Sequence, residues 1–215
     1  MRFSLEIEFL LKIGTGIFWG LTYLLIIRRG FKDRSFGMPL AALCANIAWE
    51  FIFAFVYPHP APQLYVNIAW FFLDTVIVFQ LLYFGRRAFD ALLPRGTLYV
   101  FFIASVVISF LIISGITLEF KNWGGTYTAF GQNLMMSILF VTMLRRRGDL
   151  SGQSLYIAVF KMLGTLLSST MFYARNPSSL LMNTLYISIF IFDALYIALV
   201  YAKHQDLGLS PWRRF

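Results

Sequence analysis

A single cysteine, Cys44, stands in this chain of 215 residues. No intrachain disulfide can therefore form, and a CxxC redox pair or a zinc-finger spacing is excluded. The only two histidines, His59 and His204, fall near opposite ends of the apolar segments, leaving no histidine-based metal site or proton shuttle for the interior. All seven prolines (39, 58, 60, 62, 94, 177 and 211) lie in loops or at segment ends. That excludes the proline-kinked helices on which many transporters gate, and it predicts a stiff scaffold. There is no DDxxD or DxDD run, no P-loop and no GxSxG. Glu6 and Glu8 occupy the place where a secretory signal carries its basic region, so no cleavable signal peptide is expected.

What is abundant is hydrocarbon. Hydrophobic residues make up 59% and aromatic residues 19% of the chain, and the mean hydropathy is +0.72. Average soluble domains are only about 45–50% apolar. Seven apolar stretches, each about the twenty residues a helix needs to span a bilayer, run approximately over 8–27, 38–57, 64–85, 96–117, 124–144, 153–173 and 180–201. The expected fold is an all-α, seven-helix membrane domain that takes up residues 1–215.

The net charge of +8 sorts by topology. One set of helix ends holds Arg28, Arg29, Lys32, Arg34, Arg86, Arg87, Arg95, Arg145, Arg146, Arg147, Lys203, Arg213 and Arg214, the other only Arg2, Lys121 and Arg175. The positive-inside rule then puts the amino terminus outside and the carboxyl terminus in the cytosol. Attraction to anionic headgroups accounts for the excess charge without nucleic acid as a partner.

Laying the chain on itself at an offset of 119 residues brings Pro58 onto Pro177 and Asp74 onto Asp193. Helices one to three then repeat as helices five to seven, with the uncharged fourth helix as the inverting linker. A parallel three-plus-one-plus-three repeat of this kind predicts a site between the halves, near the midplane.

Ionisable groups within a bilayer are costly, so those that remain tend to face the protein interior. Lys12 is close enough to a helix end to snorkel, Glu119 belongs to a loop, and Lys161 lies deep enough to pair with a carboxylate. Glu50 falls roughly 12 Å inside the second helix, Asp74 and Asp193 roughly 15 Å inside the third and seventh. All three acids thus reach one level near the membrane centre. Asn46, Trp49, Glu50, Phe53 and Tyr57 share a face of helix two at i, i+3, i+4, i+7 spacing. Asn67, Trp70 and Asp74 do so in helix three, and Tyr186, Asp193 and Tyr196 in helix seven. Amides can orient carboxyls, and aromatic faces stabilise cations. A carboxyl far from water tends to keep its proton, which suits a Brønsted acid.

Seven helices in so short a chain, the N-x-x-W-E-F stretch (Asn46, Trp49, Glu50, Phe51) and the D-x-x-Y stretch (Asp193, Tyr196) resemble the small integral-membrane terpene cyclases. These act in fungal meroterpenoid and indole-diterpene biosynthesis and have bacterial relatives. The resemblance implies that Glu50 and Asp193 are the essential acids, and that the substrate is a prenylated aromatic, indole or polyketide-derived compound whose terminal epoxide or alkene is protonated. Of the acids, Glu50 is expected to donate the proton, with Asp193 its partner and Asp74 a tuning or relay group. Asn46, Trp49, Phe53, Trp70, Tyr186 and Tyr196 are expected around the substrate and its cations. Such chemistry requires no cofactor and no metal, and implies no obligate protein partner beyond the lipid bilayer. The membrane would be a bacterial inner membrane or the endoplasmic reticulum.

Two other readings fit part of the pattern. A small seven-helix proton- or cation-coupled transporter would share the three-plus-one-plus-three plan and could use the buried acids to bind its ion, but the proline–glutamine motif of sugar-type transporters lies within a helix, whereas Pro62-Gln63 is in a loop. A retinal-type receptor needs a Schiff-base lysine, and the last helix offers none before Lys203. The topology has a direct test: with Cys44 replaced, a cysteine at Lys121 should react with a membrane-impermeant maleimide from outside. A cysteine at Lys203 should react only after permeabilisation, and the reverse pattern would invert the topology.

Overall fold

Long apolar runs that carry their own backbone hydrogen bonds are the one open-ended solution available in hydrocarbon, and the described residues contain helices and no strands. The computed structural model describes residues 3–86, 89 and 94–215; Arg2 and Arg87, counted in the charge pattern, lie outside the described residues. Among the described residues seven principal helices follow one another: α1 (Leu5–Asp33), α2 (Leu40–Phe51), α3 (Gln63–Phe84), α4 (Thr97–Glu119), α5 (Thr126–Arg147), α6 (Leu155–Arg175) and α7 (Leu180–Asp206). This is an all-α membrane protein. Among the described residues, six of the helices are long and apolar enough to cross a bilayer.

The exception is α2, whose apolar helical run covers only Leu40–Val56 and ends in a π-helical turn over Ile52–Val56. It is the interior helix, packed against α3, α4 and α5, and its buried side includes Asn46, Trp49 and Glu50. By contrast α4, the most hydropathic segment, is only 11% buried and packs mainly on α2. Its remaining surface suits lipid.

The main helix pairings have an exchange symmetry. Both α1 and α2 pack on α3, as α5 and α6 pack on α7; between the triples α1 packs on α6 and α2 on α5. Exchanging α1, α2, α3 with α5, α6, α7 leaves this set unchanged, which is the pairing that a parallel repeat calls for.

At its carboxyl end α1 continues past the expected residue 27 to Asp33, and there it builds a polar tie. Asp33 accepts from Arg29 one turn earlier, from Arg214 Nη2 at 2.6 Å and from the Gly152 N–H at 2.9 Å. Gly152 has φ +72, and a Cβ there would stand 2.6 Å from the Phe36 carbonyl oxygen, so only glycine fits. Arg147 donates to that same carbonyl at 2.8 Å and lies over the Phe36 ring. Arg214 also donates to the carbonyls of Leu150 and Gln153, which folds the tail across the basic face. Behind it lies an apolar core of Met38, Leu43, Ile77, Leu81, Phe140 and Met143. Asp33→Ala should therefore lower the apparent unfolding temperature in detergent by the equivalent of about 1–3 kcal/mol. Removal of the exposed Asp206 carboxyl should leave it unchanged.

Candidate active site

Toward the face opposite the basic ends, α1, α2, α3, α5 and α6 enclose a cavity of about 360 Å³, within the usual range for small-molecule sites, about 300–1,000 Å³. Trp19, Trp49, Trp70, Phe130, Met136 and Phe172 supply its apolar walls. Lys12, His59, Gln63 and Arg175 stand at its mouth, and Tyr23, Asn46 and Glu50 are its polar lining farthest from the mouth.

That floor is a hydrogen-bonded cluster drawn from four helices. Helical spacing puts Asn46 one turn before Glu50 on α2, and its Nδ2 lies 3.0 Å from Glu50 Oε1. The same nitrogen is 2.7 Å from Oδ2 of Asp74 on α3 and 2.6 Å from the hydroxyl of Tyr23 on α1. The Tyr23 hydroxyl in turn donates to Glu50 Oε1 at 2.9 Å. From α5, Gln132 Nε2 donates to Asn46 Oδ1 at 3.3 Å. Glu50 and Asp74 are both buried, yet Glu50 Oε2 and Asp74 Oδ1 have no hydrogen-bond partner among the described residues. Two carboxyls on one amide, with no ion pair to either among the described residues, make an arrangement suited to holding and releasing a proton.

A second buried cluster stands apart from the first. The Lys161 ammonium on α6 donates to Asp193 Oδ1 at 2.7 Å, Ser137 Oγ at 2.7 Å and Asn133 Oδ1 at 3.2 Å. All three of its protons are thereby used. Asn133, whose Nδ2 donates to Thr165 Oγ1 at 2.9 Å, lines the cavity, whereas Lys161 and Asp193 do not. The cation also lies 5.8 Å from the Trp19 ring centroid, so the pair backs the cavity wall.

The walls near the mouth are fixed by the irregular end of α2. Trp49 Nε1 donates to the Gly125 carbonyl at 3.1 Å, and Gly125 adopts φ +59 where a Cβ would strike the Phe53 ring and the Trp49 indole nitrogen. Only glycine lets the α4–α5 loop approach so closely. At the π-helical turn the Phe53 carbonyl accepts from Asn67 Nδ2 at 3.1 Å; Asn67 is itself held by Gln63 at 2.8 Å and faces His59 Nδ1 at 3.0 Å. The His59 ring stacks on Phe53 at 4.8 Å, and burial holds its imidazole below the ordinary histidine range.

Of the residues expected in the site, Glu50, Asp74 and Asn46 come together, and Trp49 and Trp70 line the same cavity. Asp193 does not join Glu50 but pairs with Lys161. Phe53 is buried behind Trp49, and Tyr186 packs on Phe130 outside the lining. Tyr196 points toward the basic face, where its hydroxyl meets Gln153 Oε1 at 3.0 Å. Tyr23 and Gln132, both in contact with the floor cluster, were not expected. Gln132 had a signal, since it opens a Gln-Asn pair inside an otherwise apolar stretch; Tyr23 is one aromatic among many.

The family model described as Pyr4-like transmembrane terpene cyclases matches residues 3–205 of this chain. "Pyr4-family terpene cyclase mfmH" of Annulohypoxylon moriforme is 30% identical over 91% of this chain and 84% of its own. "Terpene cyclase pyr4" of Aspergillus fumigatus is 28% identical over 76% of this chain and 69% of its own. "Terpene cyclase paxB" of Penicillium paxilli is 26% identical over 73% and 65%. No solved structure matches the chain significantly.

The two clusters respond differently to substitution. Asp193→Asn leaves the Lys161 ammonium buried without its counter-charge and should cost about 3–5 kcal/mol, read as a fall in thermal stability in detergent. Replacing the pair together, Lys161→Met with Asp193→Leu, should recover most of that loss.

Proposed function

This chain belongs to the Pyr4-like transmembrane terpene cyclases, and on that premise we propose that Glu50 is the Brønsted acid that starts cyclisation of a prenylated substrate held in the cavity. The observation that carries the reading is the asymmetry of the Glu50 carboxyl. Its Oε1 accepts from Tyr23 and Asn46, while no amide, hydroxyl or cation of the described residues donates to its buried Oε2, in a residue that contributes to the cavity lining.

With Asp74 on the same amide, two full negative charges would repel at close range in a medium of low polarity, so the pair retains a proton. The Oε2–H bond breaks as its proton passes to the terminal epoxide oxygen or alkene carbon of the prenyl chain. In the epoxide case the C–O bond opens to an alcohol and a tertiary carbocation; in the alkene case the carbocation forms directly. The electrons left on Glu50 fall on a carboxylate that already accepts from Tyr23 and Asn46, which favours the transfer. Internal double bonds then attack in turn, each bond formed moving the positive charge along the chain. The last cation loses a proton or is captured by a nucleophile of the substrate.

Aromatic faces at Trp19, Trp49, Trp70 and Phe172 supply cation–π stabilisation without being strong nucleophiles. The apolar walls limit the water that would trap a cation early. Asp74 serves as the proton store beside Glu50. Asp193 acts at a distance, through Lys161 and Asn133, on the shape of the wall. A chain-first pose suits a substrate with an apolar prenyl tail toward the floor and a more polar prenyl-bearing group near Lys12, His59 and Gln63.

The test is conversion of prenylated aromatic and indole substrates, epoxidised and not, by purified protein, with product analysis. Glu50→Gln should lower turnover by about 10²–10⁴-fold, the usual contribution of a general acid, with folding retained. Cyclisation by Glu50→Gln at the unsubstituted rate would remove Glu50 from the role.

A further inference from the structure

Asn46 has two ends with opposite hydrogen-bonding character, and which end faces the acids decides what they can do. In the observed orientation Nδ2 faces Glu50 Oε1 and Asp74 Oδ2, at 3.0 and 2.7 Å. Turned over, the amide would present its carbonyl oxygen to both carboxyls. A protonated carboxyl would then spend its O–H on Asn46 and have none for a substrate, and an ionised one would face a repelling lone pair. The groups that Nδ2 meets, a hydroxyl and two carboxyls, can each carry a proton and donate instead, so they do not by themselves fix which end of Asn46 faces them. The one contact that tells the two ends apart from outside the acid cluster is the Gln132 amide.

Gln132 Nε2 is an obligate donor and meets Asn46 Oδ1 at 3.3 Å. It reaches there from α5, across the packing between α2 and α5, and its own Oε1 is buried without a partner. Gln132 lines the cavity together with Asn46 and Glu50. We infer that Gln132 is a positioning residue for the proton donor: by holding the Asn46 carbonyl oxygen away from the acids, it keeps the amide N–H groups on them and leaves the Glu50 proton free for the substrate. The inference rests on the reading of Glu50 as the acid. It assigns Gln132 no bond to the reacting atoms.

Three measurements on purified protein with a cyclisable prenylated substrate test it. Gln132→Leu, similar in volume and unable to donate, should lower kcat about tenfold or more, the order expected when a hydrogen bond that fixes a reacting group is lost. KM should stay within about twofold, because the wall remains apolar. Since Gln132 acts through Asn46, the double variant Asn46→Ala with Gln132→Leu should be no slower than Asn46→Ala alone. In infrared difference spectra, the carboxylic C=O band that Glu50→Gln removes should move in Gln132→Leu, as its O–H turns to the amide. Gln132→Met repeats each measurement with an unbranched side chain, should the leucine fail to insert.

A change confined to KM, or losses from Asn46→Ala and Gln132→Leu that multiply, would overturn the positioning role. If Gln132→Leu works normally while Glu50→Gln is inactive, this inference alone fails. If Glu50→Gln is fully active, it is the assignment of the acid that fails.

Discussion

Asn46 Nδ2 carries two protons and faces three oxygen atoms, those of Tyr23, Glu50 and Asp74. In water such a shortage is invisible because solvent makes up the difference; in the middle of a helix bundle it must be met by protein. Much of the architecture can be read as the consequence. The short helix α2 carries the amide inside the bundle, where it need not span the full hydrocarbon thickness. Around it, α1 contributes a phenol, α3 an acid and α5 a second amide. None of those four groups could face lipid without losing the others.

The second buried cluster is built on the opposite rule. Lys161 and Asp193 cancel in charge, and the ammonium has as many acceptors as protons. The charge of Asp193 is met by the ammonium, although its Oδ2 has no hydrogen-bond partner among the described residues. In the floor cluster Glu50 Oε2 and Asp74 Oδ1 are likewise buried without a partner, but no cation stands against either acid among the described residues. Buried acids with a counter-charge tend to be structural, whereas acids without one are candidates for proton chemistry. The two aspartates that the internal repeat aligns, Asp74 and Asp193, have thus been given different employment by their neighbours.

Much of this could be read without coordinates, and the limits have physical causes. Helix number and the common depth of the acids follow from hydropathy and rise per residue, which are properties of one segment at a time. Asn46 and Glu50 meet because i, i+4 spacing guarantees it. Asp74 joins them only through packing of α2 on α3, and a shared depth does not specify that. Depth was also the reason to link Asp193 with Glu50, but azimuth sends Asp193 to Lys161 instead. Tyr196 lies three residues beyond Asp193, yet nearly a turn of helix carries its hydroxyl to Gln153 near the basic face. The π-helical turn after Phe51 had no herald in the sequence. It shifts the register that i, i+7 arithmetic had used to set Phe53 and Tyr57 beside Glu50.

The cavity does not continue to the basic face. Beneath Tyr23, Asn46 and Met136 the bundle is filled by Met38, Leu43, Ile77, Leu81 and Met143. It is a sac rather than a tube, and on the proposed reading a product made in it would have no exit through the basic face. Cyclisation turns a thread into a block, shorter and wider than the guest that entered. On that reading the side chains at the mouth would meet two different shapes in every cycle, and their freedom to part would bear on release.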